Sequence, residues 1–250
     1  MLRDGGEPVD DSRTIAQALA EVRDAGSAFA FIEWFAREWL TPVRDGDGCT
    51  AEEVAAVEER LGLRLPASLA AFYRLLGRRR DLTSNQDRLI ALNSLTVEEG
   101  VLVYRIEAQG CATWGIRVAD LGSADPPTVF REGNRDGSPW RPFLGSFSLA
   151  AVEMVLCEAV IAGVGGCHDN RELDVADIER LDELYQRLPF PDYPAWWQPD
   201  VPQAVRWFCG PSVLLREDSR TWLWVLAQNA QSVARVRDAL PGRWQETSAD

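Results

Sequence analysis

The sequence predicts an α+β fold, a mixed and mainly antiparallel sheet with helices packed on one side. Three observations carry that expectation. Two short amphipathic helical patterns split by a Leu-Pro step occupy Thr50–Gly77. The apolar period then shortens to about two residues over Leu102–Val118, and a long helical pattern follows from Ser146. With 250 residues, 46% of them hydrophobic, the chain is long enough to bury a sizeable core.

In chain order, Thr14–Leu40 reads as helical, with Ile15, Leu19 and Val22 at helical spacing and a break at Gly26. Beyond the break Phe31, Ile32, Phe35 and Trp39 form one stripe, with Glu33, Arg37 and Glu38 off it. The stripe either packs on the main core or offers an aromatic surface to a partner. Thr41–Gly48, with Pro42 and two Asp-Gly steps, reads as a linker. Thr50 and Glu53 then form a capping box, Val54, Val57 and Leu61 face inward, and Gly62 ends the first helix of the pair. Pro66 opens the second, whose stripe is Leu69, Phe72, Tyr73 and Leu76, and Gly77 stops it.

Leu102, Tyr104, Ile106 and Ala108 alternate with Val101, Val103, Arg105 and Glu107, and Trp114, Ile116 and Val118 repeat the pattern, which predicts adjacent antiparallel strands. A further strand is expected at Thr128–Arg131 before the turn-rich Glu132–Ser138. Ser146–Ala162 predicts a helix with Leu149, Val152, Leu156 and Val160 inward, capped by the glycines at 163, 165 and 166. Arg171–Leu188 reads as an acidic helix, and the Pro- and Trp-rich Pro189–Pro202 as irregular. Val213–Arg216 and Thr221–Ala227 read as a hairpin that either extends the main sheet or forms a βα unit with a helix over Ser232–Leu240. The expected organisation is a helical extension over 1–41, a core over 42–166 and an appendage over 167–250.

Glu58-Glu59, Leu61-Gly62, Leu65-Pro66, Leu69, Phe72-Tyr73 and Gly77 together resemble the opening signature of the SUKH superfamily, which contains bacterial immunity proteins and a yeast cell-wall regulator. Asn85-Gln86-Asp87, the apolar run from Gly100, Gln109-Gly110-Cys111, Trp114-Gly115-Ile116, Trp140 and the helix from Ser146 follow in that family's order. The resemblance spans roughly residues 50–163. It implies a SUKH-like core and a non-catalytic module that binds and neutralises a cognate toxin, of nuclease or deaminase type. The alternative is a regulatory or scaffold protein without a toxin partner.

Charge and cysteine usage bound the partners. The net charge of −13 argues against nucleic-acid binding and favours a basic protein partner, while the use of arginine at all 26 lysine-or-arginine positions reads as the codon bias of GC-rich coding. Five scattered cysteines without CxxC spacing predict reduced thiols. Met1–Ser12 is polar, and no apolar run approaches the roughly 20 residues of a membrane span, so a cytoplasmic location is expected and no membrane association.

Candidate chemistry is sparse. His168 is the single histidine and its neighbours Cys167 and Asp169 diverge from it in an extended chain, so neither a metal site nor any other cofactor is expected. Cys111 after Gln109-Gly110 reads as a strand-end thiol or, with His168 as base, as a nucleophile. An enzyme would be marked by convergent polar groups with shifted pKa values in a closed pocket. The run Arg78-Arg79-Arg80 reads as a solvated loop complementing a helix dipole, or as a phosphate or acidic-partner contact. The expected partner surface comprises the acids Asp45, Asp47, Glu52, Glu53, Glu58, Glu59, Asp87 and Glu107, the polar pair Asn85 and Gln86, and the tryptophans Trp196, Trp197 and Trp222.

Overall fold

A computed structural model describes residues 13–133, 137–161, 163, 167–201 and 204–245. The glycines at 165 and 166 and the segment Met1–Ser12 lie outside these residues. The chain is α+β. Its N-terminal part consists of α1 (Ile15–Ala20), α2 (Ala25–Trp39), α3 (Ala51–Leu61), α4 (Ala67–Leu76) and the short α5 (Arg80–Thr83). The break between α1 and α2 falls at Glu21–Asp24, not at Gly26, because Asp24 caps α2 by accepting from the Ser27 amide. Gly26 sits in the first turn. The aromatic stripe of α2 packs on the core: Phe31, Ile32 and Phe35 are buried, and Phe31 stacks on Phe35 at 6.1 Å.

The helix pair forms for the local reasons visible in the sequence. Thr50 and Glu53 make the reciprocal capping box, and Gly62 closes α3 at φ 65°, where a Cβ would strain the backbone. Pro66 is the cap residue of α4.

Two antiparallel sheets follow. The first contains β1 (Arg88–Leu89), β2 (Thr96–Glu98), β3 (Val101–Ile106), β4 (Ala112–Arg117), β5 (Val129–Glu132) and β6 (Arg141–Pro142). Its order is β1-β3-β4-β5-β6, with β2 sharing the β1 edge of β3. The second contains β7 (Cys167–Glu172), β8 (Gln186–Arg187), β9 (Val205–Gly210), β10 (Val213–Asp218) and β11 (Trp222–Ala227), in the order β7-β11-β10-β9-β8. The C-terminal hairpin thus does not extend the first sheet but belongs to a separate one, against which the helix over Ala230–Ala239 packs.

Between the sheets runs α6 (Phe147–Ile161). Thirteen of its residues are buried, so it has no single inward stripe: it is covered on all sides, as an all-round apolar helix must be. Phe147 meets Tyr104 of β3 edge-on at 5.1 Å, while β10, β11 and α2 pack against the rest of the helix. Gly163 follows it at φ 63°, consistent with a helix cap.

The region expected as one acidic helix over Arg171–Leu188 divides into β7, then α7 (Val175–Leu184), then β8. The segment is a strand because it pairs with β11, and its buried charges are held outside it: Arg171 pairs with Asp177 at 2.6 Å and Asp169 with Arg237 of α8 (Ala230–Ala239). The second sheet is buried on both faces. Trp207, Cys209, Leu214 and Leu226 join the main core, while Phe208, Leu215, Leu223 and Val225 form a second core with Leu181 and Val233 from α7 and α8.

Candidate functional site

A bulge in β3 creates the site. The pairing of β3 with β4 shifts between Val103 and Arg105, in a strand buried from Val101 to Arg105, and Tyr104 and Arg105 are each 1% exposed. Arg105 lies opposite Trp114, its guanidinium carbon 4.7 Å from the ring centroid. Its Nη2 meets the Asp87 carboxylate at 2.6 Å and its Nη1 meets Glu153 of α6 at 2.6 Å, with Glu158 3.5 Å away.

Glu158 explains the loop Asn85-Gln86-Asp87. The backbone amides of all three donate to its carboxylate, at 2.7, 2.7 and 3.0 Å, so the loop wraps one anion supplied by α6. The chain of contacts continues across to the second sheet: Trp207 Nε1 donates to the Tyr193 hydroxyl at 3.1 Å, and that hydroxyl donates to Glu153 at 3.1 Å. Arg216 of β10 faces the same space and pairs with Asp218 at 2.9 Å. The Nε of Arg105, the Nε of Arg216 and the Nε1 of Trp114 are buried without an acceptor.

Three carboxylates share one guanidinium, and the consequences differ by partner. Burial opposes the charge of Arg105, but Asp87, Glu153 and Glu158 outweigh it and hold the arginine firmly protonated. Burial pushes the Asp87 carboxyl above its usual range, against the pull of Arg105 and with Glu153 and Glu107 adding to the rise. The Glu158 carboxyl also rises, again from burial first, despite Arg105 and the loop amides. These directions agree: one arginine cannot compensate three anions, so it stays charged and the acids compete.

A cleft of about 180 Å³ opens over this cluster, lined by Arg105, Glu153, Arg216 and Asp218 from both sheets and α6, and by Trp114, Tyr193 and Trp224. Of the expected partner residues, Gln86, Asp87, Glu107, Trp196 and Trp197 converge here. Trp197 stands 39% exposed, whereas Trp196 is half-buried. Two expectations are corrected. Asp87 and Glu107 are not exposed acids: they are 5% and 4% exposed, the first bound to Arg105 and the second accepting the Gln109 and Cys111 amides of its own turn. Trp222 is half-buried, 6.1 Å from Trp224, and donates to Asn170.

The remaining acids form a separate group on α3 and the linker before it. Glu52, Glu59 and Asp45 are exposed, while Asp47 is taken by Arg79, Glu53 by Arg78 and Glu58 by Arg64. Most of the candidate residues thus fall in two places, a cleft and a helix ridge. The cleft's floor, Arg105, Glu153, Tyr193 and Arg216, and Glu158 behind it went unrecognised in the sequence. Glu153 and Glu158 in an otherwise apolar helix were the available signal.

None of the five cysteines forms a disulfide, and among the described residues no group of His, Cys, Asp and Glu is arranged to hold a metal ion. No described helix is long and apolar enough to cross a membrane. Comparison with protein-family models, with curated proteins and with solved structures returned no match for this chain. The SUKH resemblance accordingly rests on the residues that carry it in the sequence.

Proposed function

We propose that this protein is a binding module of the immunity type, which neutralises a basic partner protein, a nuclease- or deaminase-type toxin, by seating one of its cationic side chains in the cleft over Arg105. The observation that carries the reading is the composition of that cleft. Its lining sets Asp87, Glu107, Glu153 and Asp218 against Arg105 and Arg216, with tryptophan faces around them and Trp197 exposed at the rim. A surplus of carboxylate beside aromatic faces suits an arginine or lysine, and an exposed tryptophan beside a desolvated floor is the chemistry of a binding hot spot. The net charge of −13 and the exposed acids of α3 would speed the approach of a basic partner without fixing its final pose. Co-expression with the toxin encoded beside its gene tests this: the protein should restore growth, and Trp197→Ala should abolish the rescue at unchanged protein level. Full rescue by Trp197→Ala would refute the cleft as the binding face. Absence of any neighbouring toxin would favour the scaffold alternative.

A second reading, acid–base catalysis, is favoured by one observation, the raised pKa of Asp87 in a partly enclosed cleft. It ranks below binding because the same carboxylate is held by Arg105 at 2.6 Å. Asp87→Asn separates the two, since rescue that survives this change excludes Asp87 as a catalytic acid or base.

A further inference from the structure

The run Arg78-Arg79-Arg80 that stands out in the sequence borders a second concavity, of about 560 Å³, beside α5 and β1. Arg78, Arg80 and Arg88 line it together with Ser84, Leu89 and Ile106, and its lining contains no carboxylate. On a chain with a net charge of −13 this is an isolated cationic groove.

The arginine between them explains why the groove stays cationic. Arg79 takes both oxygens of Asp81, at 2.8 and 2.7 Å, and a Asp47 oxygen at 2.8 Å, so the nearest acids in sequence are bound away from Arg80. Arg80 and Arg88 are exposed and enter no ion pair among the described residues. Arg78 is positioned by donating to the Gly48 carbonyl and by sharing its charge with Glu53 at 2.8 Å. Two open guanidinium groups and one anchored one, around a single concavity, match the several oxygens of a phosphate better than the two of a carboxylate. The apolar side of the groove, Leu89, Ile90 and Ile106, is half-buried and gives a carbon skeleton or planar ring a surface to lie on. The volume lies within the roughly 300–1,000 Å³ of small-molecule sites. The net charge of −13 opposes a long polyanion more than a small ligand.

We propose that this groove binds a small phosphate monoester or nucleotide, with the phosphate held by Arg80 and Arg88 beside Arg78 and the organic part against Leu89 and Ile106. The site is independent of the cleft over Arg105.

Titration calorimetry of the full chain with AMP, ADP and inorganic phosphate tests the assignment. The expected result is saturable binding of at least one nucleotide with Kd on the order of 10⁻⁴ M, tighter than inorganic phosphate and weakened as salt rises. The double variant Arg80→Ala/Arg88→Ala should lose at least tenfold in affinity with an unchanged denaturation midpoint. Arg74→Ala, an exposed arginine of α4 outside the groove, should bind as the parent does. Three results would overturn the proposal: no saturable binding of any of these phosphates, an equal loss in Arg74→Ala, or tighter binding of a generic RNA or DNA duplex with the same dependence on Arg80 and Arg88.

Discussion

Arg79 and Arg105 are both buried, at 8% and 1% exposure, and both sit among acids, yet their surroundings have different chemistry. Arg79 donates to Asp81 twice, to Asp47, and to the carbonyls of Pro42 and Thr41, which uses a full set of five N–H donors. It ties the linker before α3 to the start of α5, and its two acids remain partly solvated. Arg105 faces three carboxylates, keeps its Nε without an acceptor and lies against a tryptophan face. A satisfied arginine fastens two segments. An over-subscribed one beside a cleft leaves charge and donors unspent, and that residue of unspent chemistry is what distinguishes a candidate site from a staple.

The largest test of this difference is removal of each arginine. Arg105→Met leaves three buried carboxylates without their cation and should cost about 3–5 kcal/mol in urea denaturation, the range for breaking a buried pair from one side. Arg79→Met should cost about 1–3 kcal/mol, because Asp47 and Asp81 can turn to water. Equal losses would show that the two centres do not differ in the way their burial indicates.

Glu158→Gln is next in size. Glutamine keeps one acceptor oxygen where the carboxylate offers two to the amides of Asn85, Gln86 and Asp87. A loss of about 1–3 kcal/mol is expected, the range for leaving a buried donor unpaired, together with faster amide exchange at Gln86 and Asp87. Unchanged exchange would mean that the loop does not depend on the anion it encloses.

The pH dependence separates the centres by sign. Side-chain hydrogen bonds from Arg79 hold Asp47 and Asp81 below their usual 3.8, so their contribution is present above that value and is lost as pH falls through the depressed pKa values. Asp87 and Glu158 are raised by burial above 3.8 and 4.5. The folded state therefore binds their protons more readily than the unfolded chain, and stability rises as pH falls through the raised values towards 3.8 and 4.5. Asp87→Asn should remove part of this rise while leaving the acid-side loss from Arg79's partners in place. A stability profile above pH 4.5 identical to the parent's would contradict the assignment.

The legible parts of the molecule are those with local causes. The capping box at Thr50, Pro66, the left-handed Gly62 and the alternation around Trp114 each act within a few residues, and the helix pair and β3–β4 follow from them. In the second sheet the hairpin of β10 and β11 was legible in the same way, whereas β7, β8 and β9 had no such local signature. The sequence of β7, Cys-His-Asp-Asn-Arg-Glu, reads as polar, and its pairing with β11 and the partners Asp177 and Arg237 of its two buried charges, Arg171 and Asp169, lie outside it. Similarly, β9 alternates Arg206, Trp207, Phe208 and Cys209 without a polar face, because both sides of its sheet are covered. Asp87 and Glu107 looked solvated for the same reason: a charge shows in the sequence, whereas the partner across the fold does not. The convergence of Gln86, Asp87, Glu107, Trp196 and Trp197 depends on contacts spanning about half the chain.

The smallest expected change in stability is at the rim of the cleft, and it sharpens the comparison because it isolates binding from folding. Trp197 is the exposed member of the lining, whereas Arg105 is among its buried members. Trp197→Ala should therefore leave the denaturation midpoint within about 0.5 kcal/mol of the parent, as a surface substitution does, while weakening the partner by about 2 kcal/mol or more if the cleft is the hot spot. The loss should fall on the dissociation rate, because a rim aromatic holds the formed complex. Reversing Glu52 and Glu59 on α3 to arginine should act on the other rate, slowing association several-fold at low salt and little at high salt, since those acids steer from a distance. Off-rates that respond to Glu52 and Glu59, with Trp197 silent, would move the binding face from the cleft to the α3 ridge.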